Sequence, residues 1–85
     1  GFIALGCVIR GETSQYDLVC EETARGLQDL ALDHTLALGF GVLTCDTREQ
    51  ALARARPDQK DVGGGAARAC RHMVGLKHQF GLFPR

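Results

Sequence analysis

Between Gly6 and Asp17 the chain reads Gly-Cys-Val-Ile-Arg-Gly-Glu-Thr-Ser-Gln-Tyr-Asp. This is an apolar run, a tight turn containing Gly11 and small hydroxyl residues, and the opening of a helical pattern. The first backbone N–H groups of a helix have no intrahelical partner, and they lie at the positive end of its dipole. Such a place can hold an anion, a phosphate above all, without a side-chain charge. Thr13 and Ser14 also read as helix caps, and capping and anion binding use the same local geometry. Gln15 can hydrogen-bond and orient a ligand but cannot titrate near neutral pH, so it cannot shuttle a proton. Read on their own, Arg10 and Arg54 are surface or interface ion-pair residues. His34, His72 and His78 fall late in or after helical patterns, where a cation is favourable without any catalytic role.

The elements that must position these residues follow from periodicity. Phe2 to Ile9 is a nearly unbroken apolar run, which predicts a strand buried on both faces, as in a parallel sheet. From Ser14 to about His34, apolar positions at Tyr16, Val19, Thr23, Leu27, Leu30 and Ala31 predict an amphipathic helix. Leu36 to Thr44, with Gly39 and Gly41 flanking Phe40, predicts a second buried strand in which Phe40 is a core or interface aromatic. Asp46-Thr47-Arg48-Glu49 resembles a capping box with Asp46 as the cap, opening a short helix to about Arg56. Pro57 to Lys60 is a polar connection. Gly63-Gly64-Gly65 reads as a hinge, because no strand precedes it and no Gly-Lys-Ser/Thr follows. A last helix is expected from Ala66 to Gln79, with Ala66, Cys70, Met73, Leu76 and Phe80 on one face. The order strand, helix, strand, helix, helix is an α/β unit whose strands are parallel across a helical crossover.

Eighty-five residues make at most one small domain. The formal net charge of zero argues against a general nucleic-acid binder, which needs a basic surface. The longest apolar run is too short to span a bilayer, and the first residues lack a secretory pattern, so a cytoplasmic address is expected. Four cysteines, Cys7, Cys20, Cys45 and Cys70, show no C-x-x-C pair and no metal spacing. They are expected to be reduced and mostly buried, with no metal bound. Two strands do not complete a parallel sheet, so the chain is expected to be part of something larger, completed by more chain or by other subunits.

The run from Gly6 to Asp17, with Gly41-Val42-Leu43-Thr44 and Glu49-Gln50-Ala51-Leu52-Ala53-Arg54-Ala55, resembles the lumazine synthase family. The similarity extends from about Phe2 to Phe80. It implies a three-layer flavodoxin-like sandwich with a parallel sheet, of which residues 1–85 form a single partial domain matching the C-terminal half. The implied activity condenses 5-amino-6-ribitylaminouracil with 3,4-dihydroxy-2-butanone 4-phosphate to 6,7-dimethyl-8-ribityllumazine, without a metal or organic cofactor. By resemblance Cys7, Val8 and Ile9 contact the pyrimidine through their backbone. Glu12 and Thr13 hold the phosphate, with Arg54 as its clamp. Phe40 lines a neighbouring subunit's pocket. The family's upstream aromatic that stacks on the pyrimidine has no counterpart in these residues.

The chain departs from the family pattern at two positions. Gln15 stands where the family has its proton-transferring histidine, and Val62 where it has a lysine, with Lys60 nearby. The resemblance further implies self-association into pentamers or a larger cage, with neither nucleic acid nor membrane as partner. A catalytically silent cage-forming scaffold of the same fold is the alternative that Gln15 raises. A generic phosphate- or nucleotide-binding α/β module is the third.

Overall fold

The computed structural model describes residues 1–11 and 15–82. The elements are β1 (Phe2–Ile9), α1 (Gln15–His34), β2 (Leu38–Cys45), α2 (Arg48–Ala55) and α3 (Val62–Gln79). β1 and β2 pair in parallel, from Phe2 opposite Leu38 to Ile9 opposite Cys45. The expected α/β unit with a parallel sheet is therefore present. Side chains alternate across a strand. Gly39, Gly41, Leu43 and Cys45 face α2 and α3, whereas Leu38 and Phe40 share a groove with Ala24, Leu27 and Ala31 of α1. Helix, sheet and helices thus form three layers.

Two glycines decide how closely α3 can approach. A Cβ at Gly39 would stand 1.9 Å from the Ala66 carbonyl oxygen, and one at Gly41 would meet Leu5 and Ala66 Cβ at 2.9 and 3.0 Å. The helix backbone therefore lies almost directly on β2. Beside this contact Leu43, Cys45 and Ala51 form a small core against which Val62 packs. On α3 the buried positions are Ala66 and Cys70, while Met73 and Phe80 of the expected apolar face are exposed. The inner face of α1 is Tyr16, Cys20, Thr23, Leu27 and Ala31, all partly buried; Val19 and Leu30 lie outside it.

Several boundaries differ from those expected, each for a local reason. α1 ends in a left-handed residue, Thr35 (φ 52°), and the Leu36 N–H donates to the Ala31 carbonyl at 3.0 Å. This six-to-one bond closes the helix and delays β2 to Leu38. The cap of α2 is Thr47, not Asp46. The Gln50 N–H donates to Thr47 Oγ1 at 3.2 Å, and Gln50 Oε1 accepts from the Thr47 N–H. The Asp46 carboxylate accepts instead from Arg10 Nε at 2.7 Å. The triple glycine is no hinge: it forms the first turn of α3, capped by Asp61, whose Oδ1 accepts from the Gly64 N–H at 3.2 Å.

The sheet is poorly covered. α2 and α3 lie mainly over β2, so β1 exposes Phe2, Ile3, Leu5 and Ile9, with Leu5 67% accessible. The expectation of a β1 buried on both faces is not met within this chain. The four cysteines are free; Cys45 and Cys70 are buried, Cys20 is partly buried, and Cys7 lies exposed on the same bare strand. The radius of gyration is 14.5 Å, against about 12 Å for a compact domain of this length. Among the described residues no helix is long and apolar enough to cross a membrane.

Gly39→Ala drives a methyl group into the Ala66 carbonyl, and backbone cannot swing aside as a side chain can. Thermal unfolding followed by circular dichroism is expected to show a loss of about 1–3 kcal/mol. Gly41→Ala, whose tight contacts are side-chain carbons of Leu5 and Ala66, with the Ala4 carbonyl oxygen at an ordinary 3.5 Å, should cost less.

Candidate functional site

Parallel pairing sets the carboxyl ends of both strands side by side, at Ile9 and Cys45. Beyond that edge begin two helices, α1 at Gln15 and α2 at Arg48. In open α/β sheets the crevice outside the carboxyl ends is where ligands bind, and helix N-termini aimed there favour an anion. Arg54, in the last turn of α2, is brought back to the same edge. Its Nη1 donates to Cys45 Sγ at 2.9 Å, and Cys45 itself is 1% accessible. Among the described residues the guanidinium spends one of its five donors on the thiol.

The edge also holds a cluster around Arg10, whose reading as an ion-pair residue is met, with Asp46 as a partner in place of the helix cap it was expected to be. Arg10 Nε donates to Asp46, its Nη2 lies 3.8 Å from Asp17 Oδ1, and its guanidinium carbon sits 4.3 Å from the centre of the Tyr16 ring. The carboxylate of Asp46 beside it raises the Arg10 pKa, so its charge is permanent. The Tyr16 hydroxyl interacts with Thr44 and Cys20. Desolvation there raises its pKa; the Thr44 hydrogen bond opposes the shift and Cys20 adds to it. The signal was available: Arg10 and Asp46 each directly follow an apolar run, and in-register parallel strands make such residues neighbours.

The site residues expected from the sequence divide as follows. Gln15 is the exposed first residue of α1. Glu12 and Thr13 lie outside the described residues. Cys7, Val8 and Ile9 form the last part of β1, which pairs with β2 on one side only. Half of its backbone donors and acceptors therefore face away from β2. Phe40 lies opposite Ala4 and is 47% accessible. Cys45 is five residue steps further along β2, about 16 Å along a strand, so one chain does not bring Phe40 to Arg54. Val62 packs into the small core. Lys60 is exposed between α2 and α3, its N–H bonded to the Ala53 carbonyl at 3.2 Å. His72 and His78 lie on the exposed side of α3 and His34 closes α1, away from the edge.

Tyr16 is the single tyrosine of the chain, so phenolate absorbance on alkaline titration reports on it alone. The midpoint should lie above the ordinary value of about 10. A folded pKa raised above the unfolded one means that the stabilisation is complete below the ordinary value. It is lost as pH climbs through the raised one. Tyr16→Phe should remove both the absorbance step and this alkaline loss.

Comparison with known proteins adds to this geometry. The family model of 6,7-dimethyl-8-ribityllumazine synthase matches residues 1–78. The chain is 56% identical over 81 residues to 6,7-dimethyl-8-ribityllumazine synthase 1 of Rhizobium meliloti (strain 1021), covering 95% of this chain and 53% of that protein. It is 52% identical over 82 residues to the 6,7-dimethyl-8-ribityllumazine synthase of Methylorubrum populi, covering 96% and 48%. That of Paramagnetospirillum magneticum is 51% identical over 82 residues, covering 96% and 55%. The chain spans about half the length of these curated relatives. A match of this extent sets aside the reading as a generic phosphate-binding module: the chain belongs to the 6,7-dimethyl-8-ribityllumazine synthase family.

Proposed function

We propose that the protein serves lumazine synthesis in riboflavin production, joining 5-amino-6-ribitylaminouracil to 3,4-dihydroxy-2-butanone 4-phosphate. The observation that carries this reading is the placing of the α1 N-terminus and Arg54 at one edge of a parallel sheet. The phosphate lies at the positive end of the α1 dipole with Arg54 as its charged clamp, and Glu12 and Thr13 are assigned to it by the family resemblance alone. As phosphate leaves the ketone-derived carbon, the same groups stabilise the developing negative charge. The free backbone edge of Cys7, Val8 and Ile9 offers hydrogen bonds to the pyrimidine ring. Phe40 supplies an apolar wall to the pocket of a neighbouring copy. No metal or organic cofactor enters this chemistry, which condenses an amine with a ketone, expels phosphate and closes a ring.

The bare apolar surface of β1 and the exposed Phe40 support a protein that is covered in its assembly. A pentamer or a cage of pentamers, in the cytoplasm, is the form proposed. Gln15 supports a second reading, a scaffold of the same fold that assembles without catalysing. Gln15 can orient a substrate by hydrogen bonds, but proton transfer must then fall to water.

Formation of the lumazine product, followed by its absorbance, separates the two readings. Gln15→His should raise turnover by about 10²–10⁴-fold, the usual worth of a placed acid–base group. Arg54→Gln should lower kcat/KM by about 10–100-fold through the phosphate-bearing substrate, as the loss of a charged hydrogen bond does. A Gln15→His protein that assembles into large particles without gaining turnover overturns the enzyme reading and leaves the scaffold.

A further inference from the structure

Arg10 is the residue after β1 and Asp46 the residue after β2. The Arg10 N–H donates to the Cys45 carbonyl at 2.8 Å, which continues the strand register past the sheet end and brings the two side chains together. Asp46 in turn gives its N–H to Gln50 Oε1 at 2.9 Å, inside the first turn of α2. Asp17 and Tyr16, the other partners of Arg10, belong to the first turn of α1. One guanidinium, carried at the end of β1, therefore touches the start of α1 and the entrance of α2. Arg54, the clamp residue, rides on that α2 and is moored to Cys45 next to Asp46.

We propose that Arg10 is the positioning residue of the anion site, fixing the N-terminus of α1 relative to the helix that carries Arg54. This rests on reading that edge as a phosphate site. Each contact alone is weak, since Arg10 is about half exposed, with 50% of its side chain accessible. Their convergence on one flat group supplies the geometry: its carbon lies over the Tyr16 ring while its nitrogens meet two carboxylates. Lysine, a point charge on a flexible stem, cannot do both.

The opposing role, Arg10 as a direct phosphate ligand, predicts the opposite sign for one variant. Asp46→Asn removes a negative charge beside the anion site and releases Arg10. Charge alone makes phosphate bind more tightly, so weaker binding can come only from lost positioning. Inorganic phosphate titrated calorimetrically at low ionic strength into the parent protein and its variants provides the test. Asp46→Asn and Arg10→Lys should each weaken binding about three- to fivefold. The double variant should be no worse than either alone, as expected of two members of one unit. The helical circular dichroism of Asp46→Asn should match that of the parent.

Tighter or unchanged binding in Asp46→Asn overturns the positioning role, as does weakening that tracks loss of helix. Binding that is lost in Arg54→Gln yet indifferent to Asp46→Asn leaves the phosphate site standing without the positioning role. A parent protein that binds no phosphate overturns the site itself.

Discussion

The in-register parallel pairing of β1 and β2 is the constraint from which the rest of the molecule follows. Parallel strands require a crossover, and α1 fills it. They also end at the same edge, so whatever follows β1 meets whatever follows β2. That is why Arg10 finds Asp46, why the N-termini of α1 and α2 open onto one crevice, and why Arg54 can return to Cys45. An antiparallel pair would have put these residues at opposite ends of the sheet.

A second constraint is the glycine spacing on β2. With Gly39 and Gly41 on one face, α3 lies with its backbone against the strand, and its small residues Ala66 and Cys70 become the buried ones. The resulting core is narrow and centred on β2. β1 keeps its apolar side chains at the surface, which suits a fold completed by further protein and fits the intersubunit role proposed for Phe40. Local helix signals adapt to these contacts. Asp46 gives up its capping role to Arg10, and Thr47 with Gln50 forms the capping box one residue later.

Much of the fold was legible before the structure. The two apolar runs and the three-residue and four-residue spacing from Tyr16 to Ala31 gave the element order and the parallel sheet. The family resemblance rested on contiguous stretches and is matched over residues 1–78. Less legible were the ends and faces of elements. Val19 and Leu30 have the right spacing for the inner face of α1, yet the sheet reaches only the narrower stripe through Cys20 and Thr23. The glycine run 63–65 looked like a hinge because glycine weakens helices, and only Asp61 as a cap made it a first turn.

The sequence by itself supplied the local chemistry: a helix start that reads as an anion cradle and a non-titrating Gln15 at the head of α1, while the clamp reading of Arg54 came only from the family resemblance. The first two follow from residue type and local spacing, which are properties of short segments. Tertiary structure alone decided that Arg10, Asp17, Tyr16 and Asp46 act as one group and that Cys45 moors Arg54. Such contacts join residues that are distant in the chain, up to 36 positions apart for Arg10 and Asp46. Strand register, which no local pattern encodes, makes them neighbours.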